Sequence, residues 1–201
     1  MKRIVKTLFF FGLLLLLTAA VAPSFINWNQ HKDKIIARIE PYIQRKIDVA
    51  GNISFKVLPQ PELMMEQVTL SNAPGAKSPV FITLKQLTAR IRLSPLLQGR
   101  VEVENIYLDT PVLNLEVMAD GKADWSGLLK EKPNLDTAAA IQLNQVTVTG
   151  GTVHYLNQMT GASRDMENLN LVIAAETLLG PYRINGDMKY QNTTVNIDIT
   201  T

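Results

Sequence analysis

The chain has 201 residues, 46% of them hydrophobic, enough for a real core and too many for a wholly disordered chain. It has no cysteine, which excludes disulfides and thiolate metal sites. The formal charge of +2 comes from Lys2, Arg3 and Lys6; without them 17 basic residues face 18 acidic ones, leaving no basic footprint for nucleic acid.

The first predicted element is a membrane anchor. Leu8 to Ala22 is apolar apart from Gly12 and Thr18, and Ile4-Val5 and Phe25-Ile26 extend the run. A helix of that length crosses a hydrocarbon layer of roughly 30 Å. A cleaved signal peptide has a shorter apolar core, and although Ala20-Val21-Ala22 resembles a cleavage site, Pro23 would then fill the first mature position, where its fixed φ fits a protease cleft poorly. The reading is a cytoplasmic tail over residues 1–6, a retained transmembrane signal-anchor over 7–26, and everything beyond it extracytoplasmic. Trp28 falls where an aromatic belt residue marks the far interface.

Residues 27–47 form an amphipathic helical segment. Ile35, Ile36, Ile39, Tyr42 and Ile43 recur at helical spacing from His31 to Lys46, and Pro41 is expected to kink the helix or begin a second one. The apolar face either lies on headgroups or caps one end of a sheet.

From residue 48 to residue 201 the period becomes that of strands. Turn chemistry recurs at Pro59-Gln60-Pro61, Asn72-Ala73-Pro74-Gly75, Gln98-Gly99, Asp109-Thr110-Pro111, Asp120-Gly121, Gly150-Gly151 and Gly161. Helical turns are expected only at Ser94–Leu97 and Ser126–Lys130.

One signature repeats: two alternating apolar residues, a two-residue gap, then two more. It appears at Leu63, Met65, Val68 and Leu70, and again at Ile82, Leu84, Leu87 and Ala89. Two further copies are Val101, Val103, Ile106, Leu108 and Ile141, Leu143, Val146, Val148. These two continue in step, Leu113 and Leu115 matching Val153 and Tyr155, and Gly121 matching Gly161, which reads as an internal repeat. The gap would turn the second pair to the other face unless a β-bulge absorbs a residue. Bulges are therefore expected near Glu66-Gln67, Lys85-Gln86, Glu104-Asn105 and Asn144-Gln145, with a strand that swaps face between two sheets as the alternative. The apolar face must be covered, by a second sheet in a sandwich or by curling into a barrel or groove. A groove left open needs an apolar occupant, and beside a membrane the nearest is an acyl chain.

The residues also resemble a known family. Ile47-Asp48-Val49-Ala50-Gly51-Asn52-Ile53 looks like a strand-Gly-strand hairpin, followed by Leu58-Pro59-Gln60-Pro61-Glu62-Leu63 and Val68-Thr69-Leu70-Ser71-Asn72-Ala73-Pro74-Gly75. Then come Ile91-Arg92-Leu93-Ser94-Pro95-Leu96-Leu97-Gln98-Gly99, Val101 to Leu108, Pro111, and the turn Asp120-Gly121-Lys122-Ala123-Asp124-Trp125, with Asp124 where asparagine is usual. In this order, behind the anchor, they resemble the AsmA family of Gram-negative inner-membrane proteins. The resemblance implies a periplasmic, curved antiparallel β-sheet, as a groove or open sandwich with bulged repeats, similar to the β-grooves of lipid transfer proteins. It also implies membrane phospholipid as partner, outer-membrane biogenesis proteins as further partners, and a part in phospholipid transport. Members are usually longer, and the alternating Val195, Ile197 and Ile199 at the terminus read as a strand edge of a truncated protein.

No constellation for catalysis, cofactor or metal stands out, so the expectation is a non-enzymatic protein with no cofactor. His31 and His154 are read as surface or strand residues, Asp120 and Asp124 as a structural turn with too few oxygens for calcium, and Trp125 as a core anchor. The candidate lipid-facing residues are those of the signature, Ala89 apart, and its continuation, Leu63 through Tyr155. An assembly factor acting on outer-membrane proteins through sheet edges is the alternative.

Overall fold

The computed structural model describes residues 6–7, 10–11, 18, 25–98, 100, 102–128, 144–175, 181–191 and 193–201, with the backbone alone for Tyr42 and Ala175. The anchor lies mostly outside these residues, as do Gly99, Val101, Ile141, Leu143 and the end of the Ser126–Lys130 turn. Among the described residues no helix is long and apolar enough to cross a membrane.

A 3-10 turn, Trp28–His31, leads into helix α1, Lys32–Ile43. The helix continues through Pro41 and stops at Gln44, which turns left-handed (φ 54°) and donates its N–H to the Glu40 carbonyl. It is therefore one helix, ending at Ile43 where the expectation ran to Lys46. Ile35 and Ile36 pack on the core cluster of Val49, Ile53, Met65, Val68 and Leu84, while Lys34 and Arg38 face solvent. The helix covers sheet, the second of the two roles its amphipathic face allows. Trp28 meets Phe55 edge to face with ring centroids 5.5 Å apart, so it serves the fold.

Among the described residues ten strands follow: β1 Ile47–Val49, β2 Ile53–Lys56, β3 Glu62–Ser71, β4 Val80–Ile91, β5 Val103–Asp109, β6 Val112–Val117, β7 Gln145–Asn157, β8 Ser163–Ala175, β9 Tyr182–Tyr190 and β10 Thr193–Thr200. Helix α2, Leu93–Leu97, sits between β4 and β5. All ten strands form one sheet. β1 and β2 lie in line along one edge of β3, not as a hairpin with each other. Gly51 marks the break: a Cβ there would come within 2.6 Å of the Glu66 Cβ and 2.8 Å of its carbonyl oxygen. β5 and β6 are likewise in line, pairing with β4 on one side and β7 on the other.

The sheet is mixed, which corrects the purely antiparallel expectation. β5 and β6 run parallel to β7, and each residue pairs with the one forty later: Ile106 with Val146, Leu108 with Val148, Leu113 with Val153, Leu115 with Tyr155. The offset that reads as a repeat in the sequence is the register of this ladder. Turn residues also behave differently from their composition. Gly150 and Gly151 lie inside β7, with Gly150 at φ 62°, and Thr110-Pro111 is a break between collinear strands, not a reversal. Among the described residues, 124–127 form turns and no helix.

The expected bulges are mostly replaced by another device. Near Glu104-Asn105 the bulge is present: Arg90 pairs with Asn105 but Ile91 with Val103, so Glu104 is the extra residue. At Glu66-Gln67 and Lys85-Gln86 the β3–β4 register is unbroken, from Glu66 opposite Gln86 to Val68 opposite Leu84. Asn144 lies just ahead of β7, donating its N–H to the Glu104 carbonyl, with regular pairing from Gln145 to Val148. β3 and β4 shift phase at one level, so neither has a residue to spare against the other there, whereas β7 and β8 change register on either side of Gly151 and β8 and β9 between Glu167 and Asn170. Left-handed residues mark that level at Gln67 (φ 51°), Thr110 (φ 49°), Gly150 and Asn168 (φ 51°). Met65 and Val68, on either side of the gap, join one cluster, so the apolar set keeps to one face.

Candidate functional site

Lateral partners in a sheet share a face, so the registers assemble the predicted residues into rows. One row runs Phe55, Leu63, Ala89, Ile106, Val146, Ile173, Ile184, Ile199. The next runs Ile53, Met65, Leu87, Leu108, Val148, Leu171, Gly186, Ile197. Beyond the phase shift Val68 stands beside Leu84, and Leu70, Ile82, Leu113, Val153 and Met166 form a further row. Leu115 stands beside Tyr155, and Val103 beside Ile91. Every predicted lipid-facing residue that is described therefore lies on one apolar face, while Val101, Ile141 and Leu143 lie outside the described residues.

Sequence reasoning missed the continuation on β8 to β10: Met166, Leu169, Leu171, Ile173, Ile184, Ile197 and Ile199. Plain alternation at Leu169, Leu171 and Ile173 was the available signal; these stretches lack the two-part signature used to find the rest.

Coverage of the face is uneven. Under α1 the residues Met65, Val68 and Leu84 are buried. Further along, Val153 is 7% and Leu169 9% exposed, but Leu113, Leu115, Val146, Val148 and Tyr155 are only half-buried. The opposite face carries polar groups. Arg90 Nε donates to Glu62 Oε1 at 2.8 Å and its Nη1 to the Tyr107 hydroxyl at 2.7 Å. The Arg90 hydrogen bond holds the Glu62 carboxyl below the usual range. His154 Nδ1 lies 2.7 Å from Asp165 Oδ1, both side chains exposed.

A buried polar knot ties the end of the sheet away from α2. Asp124 is 0% exposed; its Oδ2 accepts from Asn72 Nδ2 at 3.2 Å, while Oδ1 has no partner. Burial pushes this carboxyl up, with the nearby Glu116 charge adding to it. Arg45 Nη2 donates to the Asp124 carbonyl at 3.0 Å, linking the end of α1 to this turn. Glu116, also buried, accepts from the Lys77 N–H and from Gln158 Nε2. The side chain at the heart of the Asp-Gly turn is therefore Asp124; Trp125, expected as the core anchor, is 41% exposed. The Asn72 amide bonds Asp124 and so fixes which of the two neighbours goes in. Among the described residues no group of three or more potential metal ligands is gathered together.

The in-line β1 and β2 around Gly51 and the turn built on Asp124 lie within the segments that carry the resemblance, and the AsmA family model matches residues 1–183. The chain belongs to the AsmA family. No individually curated protein matches it. For this AsmA family member, the segments singled out by sequence resemblance fall on β1 to β4, α2, β5 and the Asp124 turn.

Proposed function

We propose that the protein is an inner-membrane-anchored periplasmic member of the AsmA family that holds lipid acyl chains on the apolar face of its sheet. In this role it contributes to phospholipid transport and outer-membrane biogenesis. The observation that carries the reading is the pair of rows running unbroken from β2 to β10, apolar at every position except Gly186. Away from α1 most side chains along these rows are only half-buried and Ile199 is exposed, which suits acyl chains better than water. Family membership and the apolar N-terminal run support a membrane location with the sheet in the periplasm. The proposed role is non-enzymatic, since moving lipid needs a shaped apolar surface and no nucleophile.

The test is photo-crosslinking in cells, with probes at Val103, Leu115, Leu143 and Tyr155 and a control probe at Thr147 on the polar face. Phospholipid adducts at the first four and none at Thr147 are the expected result. Adducts to protein alone would overturn lipid carriage in favour of an assembly factor acting on outer-membrane proteins.

A further inference from the structure

The strands of the sheet share two ends, and one of them has an unusual surface. At that end lie the β2–β3 turn, the exit of β4 into α2, and the approach to β5. Lys56 pairs with Glu62 and Glu62 with Arg90, the Ile91 N–H bonds the Pro61 carbonyl, and the Arg92 N–H bonds the Glu102 carbonyl. Here α2 buries Pro95 but leaves Leu93 and Leu97 exposed, Leu97 by 80%, and Leu58 on the neighbouring turn is exposed as well. A single exposed leucine needs no explanation. Three at one end of one sheet do.

Two further observations say what faces them. Asn29 Oδ1 accepts from the Ile53 N–H at 2.8 Å and Trp28 packs on Phe55, next to the Lys56–Glu62 pair, so the chain runs along β2 with Trp28 toward this end. Just before Trp28 stand the exposed Phe25 and Ile26, the last residues of the apolar run. The charges are also sorted. Glu62 and Glu102 are sheltered, whereas their partners Lys56 and Arg100 reach outward and Arg92 is partly exposed. Apolar tips among outward cations match the boundary between acyl chains and anionic headgroups.

We infer that α2 and the Leu58 turn form a second membrane contact, seating this end of the sheet on the bilayer that holds residues 7–26. This rests on the anchored reading of the N-terminus and adds to it. A single span leaves a domain free to swing, whereas a second contact holds one end of the strands at the headgroup level, with the apolar rows, which cross the strands, running alongside the bilayer.

Because the natural chain has no cysteine, single cysteines can report on this directly. The full chain carrying Leu97→Cys, Phe25→Cys or Met159→Cys is spin-labelled in vesicles of phosphatidylethanolamine and phosphatidylglycerol. Collisions with oxygen and with a water-soluble nickel chelate are then compared. Met159 is exposed on the β7–β8 turn at the opposite end and serves as the aqueous reference. The expected result is an oxygen-to-nickel ratio at Leu97 several-fold above that at Met159, reduced by Arg92→Gln with Arg100→Gln. A Leu97 label as nickel-accessible as Met159, with Phe25 embedded, overturns the second contact and leaves the anchor standing. An embedded Leu97 with an aqueous Phe25 upholds the contact and removes the anchor. Both labels in water overturn both.

Discussion

Leu113 on β6 and Val153 on β7 stand side by side in a parallel ladder, one pair of a register in which every partner is forty residues further on. Parallel neighbours need a long connection between them, and here residues 118–144 supply it. The pairing can be tested chemically. Neighbouring strands lie about 4.8 Å apart, close to the lower part of the Cα separation a disulfide spans, about 4.4–6.8 Å. Leu113→Cys with Val153→Cys should cross-link on mild oxidation of the detergent-solubilised chain. Leu113→Cys with His154→Cys, on opposite faces, should not. Equal cross-linking of the two pairs would contradict the register.

Gly51 allows β1 and β2 to share one edge of β3, because any side chain there would collide with Glu66. Gly51→Ala should destabilise the protein by about 1–3 kcal/mol, the usual cost of forcing extra atoms into filled space. Gly161→Ala, at φ 72° with open space around it, should cost only the left-handed backbone term of about 1–2 kcal/mol. Urea midpoints of the two variants give the comparison, and an equal or smaller loss at Gly51 would show that the edge can give way.

Lys32 ties α1 to the sheet by donating to the carbonyls of Val49 and Gly51, each at 2.7 Å. Hydrogen bonds to a charged group contribute roughly 1.5–3 kcal/mol. Lys32→Met should therefore loosen α1 by about 2 kcal/mol, visible as faster amide exchange in Ile47–Val49 with little change in β7 and β8. Unchanged exchange in β1 would mean the helix is held by its isoleucines alone.

Asp124 is buried with one oxygen unpartnered, and burial raises its carboxyl above the ordinary value. A folded-state pKa above the unfolded one makes a contribution present below the unfolded pKa and lost as pH rises through the folded one. Asp124→Asn cannot ionise and keeps an oxygen for Asn72. Its stability relative to wild type should rise between about pH 4 and about pH 7, by on the order of 1 kcal/mol for one unsatisfied buried group. Denaturation midpoints of both proteins at the two pH values check this; a gap that narrows as pH rises would reverse the assignment.

Much of this molecule is legible in its residues. Alternation at Leu63, Met65, Val68 and Leu70 determines which face of each strand is apolar, since side chains alternate whatever the neighbours do. Ile35, Ile36 and Ile39 likewise determine the covered face of α1. The forty-residue likeness between Leu113-Leu115 and Val153-Tyr155 was visible too, but not what it meant. Strand direction is set by which edges meet in space, and a local pattern is the same for a parallel and an antiparallel partner. The gap at Glu66-Gln67 is a similar case. Whether an extra residue makes a bulge depends on whether the neighbouring strand shifts at the same level, and that is a property of the pair. Nor could the turn's sequence say that Asp124 goes inward and Trp125 outward, because Asn72, far back in the chain, decides it. The apolar face is thus written strand by strand in the sequence, and its continuity into rows across the sheet comes only from the tertiary pairing.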